Sequence, residues 1–560
     1  MSNQKIVIYQ VFTRLFGNEV RTTKPWGTKT ENGCGKMDDF TPYALQQIVG
    51  LGATHIWYTG LLEHATQTDY SHFGIRKDHP GVVKGIAGSP YAIKDYYDID
   101  PDLATSVPAR MNEFEALVKR TKEAGLKIVI DFVPNHVTRE YHSDAKPDGV
   151  RDLGEDDNKD QSFSTQNNFY YKPGESLHAT DFDMRGYCEY PARATGNDVF
   201  SAWVSRNDWY ETIKLNYGVD YQNGHHCHFD PIPSTWNKML DVLLFWSGKG
   251  VDAFRCDMAE MVPVEFWGWA IRKVKDQYPH IIFIAEVYNP AQYRKYIHEG
   301  LFDYLYDKVG LYDTLRNVIC GNASATEITR CWQSVDDIRE HMLAFLENHD
   351  EQRLASEFFA GNSQMGRAPL IVASCMGTNP MMIYFGQELG ERGMEEEGFS
   401  GRDGRTSIFD YWTVDKIRRW RNQGQFNNRK LTPDEVSLQQ FYSRVLHLCN
   451  EEEVLREGEF YDLMYANLDS PNFNPAKQYA FIRRKEKTLM LIVANFDNKD
   501  ALVEVNIPKH IFEFYRLKET EYIKAEGLLT GSPHHISFSS KQPTKLLVPG
   551  HNGRILKFTL

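Results

Sequence analysis

Four short stretches end an apolar run with polar residues: DFVPNH (Asp131–His136), FRCD (Phe254–Asp257), AEV (Ala285–Val287) and ENHD (Glu347–Asp350). Apolar runs of this length, rich in branched and aromatic residues, read as buried strands. In GVDAFRCD an arginine and a carboxylate stand two residues apart, so on a strand Arg255 and Asp257 face the same way. Buried charge is costly unless it is paired and hydrogen-bonded. If the four strand ends converge, Asp257, Glu286 and Asp350 share one pocket with Arg255, His136 and His349. Three carboxylates in one pocket repel, which raises the pKa of the least compensated one. Arg255 beside Asp257 favours the ionised form there and leaves Glu286 as the protonated member. An ionised nucleophile beside a neutral acid is the pairing used to cleave glycosidic bonds.

Seven apolar runs and the candidate LFDYLYD read as parallel strands covered on both faces. Helical patterns lie between most of them, such as MNEFEALVKRTKEAG and TWNKMLDVLLFWSGKG. The alternation predicts an α/β fold, a (β/α)8 TIM barrel whose active site lies at the carboxyl ends of its strands. The gap between His136 and Asp257 is too long for one βα unit. Its excess, rich in Asp, Gly, Asn, Ser and aromatics, predicts a domain inserted after strand 3. The C-terminal runs KQYAFIRRKEKTLMLIVANFDN and KLLVPGHNGRILKFTL alternate as antiparallel strands and predict a C-terminal β-sandwich. The expected limits are 1–137 and 221–454 for the barrel, 138–220 for the insert and 455–560 for the sandwich.

A net charge of −13 over 560 residues disfavours nucleic acid and anionic membranes as partners. The first residues lack a signal-peptide pattern, and no apolar stretch is long enough to span a membrane. Eight scattered cysteines without a CxxC pair are expected to be reduced thiols in a cytoplasmic protein. HHCHF (His225–Phe229) reads as hydrogen-bonding surface rather than a metal site, and MEEEGF as a solvated loop. Asp131 is expected to brace the barrel interior, and Cys256 to point away from the pocket.

The four strand-end stretches resemble conserved regions I to IV of the α-amylase family, glycoside hydrolase family 13. GATHIWYTG and NPMMIYFGQE resemble its second- and eighth-strand segments, and IKLNY (Ile213–Tyr217) its fifth region, nearest the neopullulanase-like form. The resemblance covers about the first 430 residues. It implies that Asp257 is the nucleophile, Glu286 the acid/base and Asp350 the carboxylate that binds sugar hydroxyls and stabilises the transition state. It further implies that His136 and His349 hold hydroxyls of the same glucose, that Arg255 orients Asp257, that Tyr91 stacks on the sugar and that Arg353 reaches the neighbouring subsite. Glu260 and Tyr288 would line the leaving-group side. No cofactor is required for this chemistry. Calcium is left open: Asn135 matches one family ligand, but Glu260 and Met261 stand where α-amylases usually show a lysine–histidine pair.

The expected activity is retaining hydrolysis of α-1,4-glucans or maltooligosaccharides by double displacement. A transglycosylase or a sucrose- or trehalose-directed enzyme of the same family is an alternative, since a sugar hydroxyl can replace water. A non-catalytic carbohydrate-binding relative is the alternative from another class; retention of all three carboxylates speaks against it.

Overall fold

Eight parallel strands close into a barrel among the residues described by the computed structural model, 4–393 and 396–560. Met394 and Glu395, inside the acidic MEEEGF run, lie outside the described residues. In chain order the strands are Val7–Phe12, His55–Thr59, Lys127–Phe132, Ala253–Cys256, Ile282–Ala285, Tyr304–Tyr306, Met342–Phe345 and Met381–Tyr384. Each pairs with its chain neighbours, and the last closes on the first. The sixth lies within LFDYLYD. Helices follow the strands; Arg110–Glu123 buries Phe114, Leu117, Val118 and Thr121, a helical spacing that lays one stripe on the sheet.

Side-chain alternation builds the barrel in layers. Ile8, Trp57, Val129, Ala253, Ile284, Tyr306, Leu343 and Met382, one from each strand, pack together in its interior. Two residues further along the same strands stand Gln10, Thr59, Asp131, Arg255, Glu286 and Tyr384. A period of two therefore sets a polar layer directly above an apolar one. The intervening residues, Phe254 and Cys256 among them, face the surrounding helices and are fully buried.

The segment after the third strand holds only short ladders. His136–Thr138 pairs antiparallel with Thr212–Lys214, which places Lys214 opposite His136. A small core of Leu177, Met184, Ala192, Ala202, Val204 and Tyr210 also takes in Val82, from the loop after the second strand. That loop carries its own hairpin, Leu62–His64 with Ile93–Ile99, which the sequence reading did not anticipate.

At the C-terminus a six-stranded antiparallel sheet and a two-stranded one form the sandwich. It is fastened to the barrel by Arg483, which is fully buried. Its guanidinium donates to the carbonyls of Cys375 at 2.9 Å and Gly458 at 2.6 Å. No helix among the described residues is long and apolar enough to cross a membrane.

Candidate active site

Arg255 is the centre of the polar layer. It is 1% exposed, and three rings, Trp57, Tyr91 and Tyr306, each lie 5.4 Å from its guanidinium carbon. One guanidinium nitrogen donates to Asp257 Oδ1 at 2.7 Å, and the other forms an ion pair with Glu286 Oε2 at 2.9 Å. Asp131 and Asp350 stand further out, at 3.7 and 3.9 Å. Four carboxylates thus surround one cation. Asp131 is braced by Trp57 Nε1 at 3.0 Å, which makes it part of the barrel wall.

This sharing leaves Asp257 only part of the arginine's charge. Burial raises the Asp257 carboxyl well above the ordinary range; Arg255 opposes that rise, while Glu286 and Asp350 add to it. The sequence reading places the extra proton on Glu286. In the structure Arg255 is divided between Asp257 and Glu286, and burial, with the neighbouring acids, pushes Asp257 upward. Burial also works against ionised Asp350, but His349, its hydrogen bond and Arg255 outweigh it and bring that carboxyl down to about 2. Asp350 has the most open side chain of the three, 38% exposed against 8% for Asp257 and 4% for Glu286.

Glu286 is held from two sides. Its Oε2 accepts the backbone N–H of Met258 at 2.8 Å, and its Oε1 accepts the Tyr288 hydroxyl at 2.5 Å. Met258 has φ +42°, a left-handed conformation that is rare outside glycine. The turn this makes directly after Asp257 aims the Met258 N–H at the acid of the next strand. Glu260 instead accepts the backbone N–H of Asn289 at 3.0 Å.

The histidines and Tyr91 form a wall beside Asp350. His349 Nε2 lies 2.6 Å from the Tyr91 hydroxyl and 3.0 Å from Asp350 Oδ2, and its Nδ1 meets Gln10 Nε2 at 2.8 Å. The Tyr91 and His349 rings stack with centroids 5.1 Å apart. Burial and the nearby Lys214 ammonium push the His136 imidazole down to about 3. Its ring packs on Trp209 of the inserted segment, with centroids 5.2 Å apart. Gln10, Tyr306 and Trp209 complete this surround and were not singled out from sequence; the period-two step above Ile8 is the signal that could have found Gln10.

Arg353 requires a correction. The structure does not bring it to a subsite: it is fully buried. Its guanidinium donates to Glu347 Oε2 at 3.0 Å, to the Phe385 carbonyl at 2.9 Å and to Thr406 Oγ1 at 2.8 Å, and it stacks 4.0 Å over Tyr384. These contacts tie the loop after the seventh strand to the eighth.

The residues at Asn135 do not fit calcium. The Asn135 Oδ1 accepts the Lys214 ammonium at 2.8 Å, and Lys214 also pairs with Asp198 at 2.5 Å. An ammonium on the oxygens a divalent cation would need excludes it by charge. A second acidic cluster, Glu63, Asp95 and Asp98, is buried after the second strand. Each Asp95 oxygen already accepts two hydrogen bonds, from Tyr97 and Ser143 and from Asp144 and Ala145. Asp98 is gripped by Arg110. Only the Glu63 oxygens lack hydrogen bonds, too few for a cation that takes six to eight oxygens.

Comparison with known proteins gives the family and the fold. Residues 10–458 match the family described as "Alpha amylase, catalytic domain". An α-amylase of Haloarcula japonica is 25% identical over 398 residues, 70% of this chain and 45% of that protein. An α-1,4-glucan:maltose-1-phosphate maltosyltransferase of Cereibacter sphaeroides is 23% identical over 229 residues, 36% of this chain and 34% of that protein. The chain thus spans less than half the length of either relative. The crystal structure of a maltogenic α-amylase from Thermotoga neapolitana superposes over the full length of both chains with a TM-score of 0.64 at 21% identity, a likeness of fold. With the match running through most of its length, this chain belongs to the α-amylase catalytic-domain family.

Proposed function

We propose that the chain is a retaining α-glycoside hydrolase that cleaves α-1,4-linked maltooligosaccharides by double displacement. The observation that carries the reading is the bridging of Asp257 and Glu286 by one guanidinium at 2.7 and 2.9 Å, at the carboxyl end of the barrel. Two acids tied to one planar group are close neighbours. Retaining enzymes need that proximity, with carboxyls about 5–5.5 Å apart.

In this reading Asp257 attacks the anomeric carbon while the glycosidic C–O bond breaks, and a glycosyl ester forms on Asp257. Glu286 gives its proton to the departing oxygen. Its Oε1 accepts only the Tyr288 hydroxyl and keeps a lone pair for that proton, whereas Oε2 is engaged by both Met258 and Arg255. The ionised Glu286 then takes a proton from water, whose oxygen attacks the same carbon and releases Asp257. Asp350 stays ionised and faces the positive charge that develops on the sugar. His349, His136 and Tyr91 hold and stack on that glucose. No cofactor enters these steps. The barrel takes residues 1–137 and 221–454, the insert 138–220 and the sandwich 455–560, and the unpaired cysteines suit a cytoplasmic setting.

A second reading, transfer of the glycosyl group to another sugar, is favoured by the maltosyltransferase relative. A time course on maltotriose and maltoheptaose, with the anomer followed by NMR, decides between them. Glucose and maltose released first as α-anomers support hydrolysis with retention, and longer oligosaccharides point to transfer. Initial release of the β-anomer contradicts both.

The pH profile offers a separate check. Asp257 must be ionised to attack, and its carboxyl is raised by burial and its acidic neighbours. The acid limb of kcat/KM, which reports the free enzyme, is therefore expected above the ordinary aspartate value of about 4. A limb at or below that value counts against Asp257 as the raised nucleophile.

A further inference from the structure

We propose that the Lys214 ammonium is the fixed internal cation that ties the inserted segment to the third barrel strand and thereby positions His136, in the place where the family resemblance offers calcium. The inference rests on the functional reading above only in assigning His136 to the sugar.

Lys214 is 1% exposed and sits opposite His136 in the two-stranded ladder that begins the insert. Its ammonium reaches two segments at once. Asn135, the residue before His136, offers Oδ1 at 2.8 Å, and Asp198, on the exposed side of the insert, offers Oδ1 at 2.5 Å. The Tyr221 ring lies 5.2 Å from the same nitrogen. A buried ammonium needs fixed partners, and here the partners are the two pieces of chain that enclose His136.

The linkage is completed through Asn135. Its amide nitrogen donates to the Gly196 carbonyl at 2.8 Å and lies 3.2 Å from His136 Nδ1. Gly196 packs so closely that a Cβ there would stand 2.9 Å from the His136 Cβ and 2.7 Å from Thr212 Oγ1. The insert backbone therefore lies directly on the histidine, and Lys214 holds it there. Charge agrees: one ammonium balances Asp198, whereas a divalent ion would meet one carboxylate and one amide oxygen, a poor oxygen set for calcium.

The test combines chelation with substitution. Wild-type protein dialysed against EDTA is expected to keep its melting temperature and its kcat/KM. A fall restored by calcium, and absent from Asp198→Asn, overturns the proposal. Lys214→Met is expected to raise KM more than it lowers kcat, with kcat/KM falling on the order of tenfold, the low end of losses seen when support for a site ligand is removed. Lys214→Arg should recover part of that loss, which a merely structural lysine would not show. A folded Lys214→Met protein with wild-type KM overturns the idea. If that variant does not fold, Asp198→Asn breaks the same link from its more open side, and unchanged kinetics there are equally fatal. Should the wild type not turn over maltooligosaccharides at all, the functional reading fails. The EDTA arm, read by melting temperature alone, still decides whether lysine or calcium fills the site.

Discussion

Asp257→Ala is expected to lower turnover of maltooligosaccharides on the order of 10⁶-fold, the scale seen when a hydrolase loses its nucleophile, while leaving sugar binding in place. Tyr91, His349 and Asp350 keep their mutual contacts without Asp257, and Arg255 keeps Glu286. The same substitution is expected not to lower stability near neutral pH. A carboxyl whose folded-state pKa lies above its unfolded value binds more protons when folded. Its penalty is absent below the unfolded value of about 3.9, grows as pH rises and is complete above the folded value. Asp257 is such a group, so its removal relieves the crowding of four acids around one arginine. Calorimetry on the variant checks this. Retained turnover would remove Asp257 from the reaction, and a large loss of melting temperature would show that it braces the barrel instead.

Glu286→Gln should lose about 10²–10⁴-fold on ordinary glycosides, the range of a positioned proton donor, and far less on glycosyl fluorides. Glutamine keeps the shape of the side chain and an oxygen for the Met258 N–H and Arg255, but it has no proton to give. Fluoride leaves without one, so its release should be nearly spared. Comparing kcat/KM for maltotriose and α-maltosyl fluoride separates the roles. Equal losses on both would mean that Glu286 serves the pocket's geometry and not proton transfer.

Much of this site was legible because strands alternate. The same period of two that buries Val129 and Ala253 lifts Asp131 and Arg255 into the layer above, and that rule operates on sequence alone. Arg353 was misplaced because nothing in HDEQR shows which way a loop turns; only the folded chain brings Glu347 and the Phe385 carbonyl within its reach. The crowding around Arg255 was hidden for a related reason. Arg255 and Asp257 are neighbours in sequence, but the second claim on that arginine comes from Glu286, a strand away. Lys214 stood in IKLNY without a role, since a single lysine in a short strand ordinarily reaches out to water. The hairpin strand Ile93–Ile99 was hidden by its composition: IKDYYDI carries three charges, yet every residue in it is buried.

Arg483 has a consequence for how the molecule comes apart. Its guanidinium spans carbonyls at 375 and 458. It rests against the helix Arg367–Cys375, in which every residue from Ala368 onward is buried. A fragment stopped before the sandwich would leave that helix facing water, with its apolar stripe uncovered. The C-terminal sheets act as the barrel's outer skin on this flank, and the two units should melt together as one cooperative body rather than as bead and string.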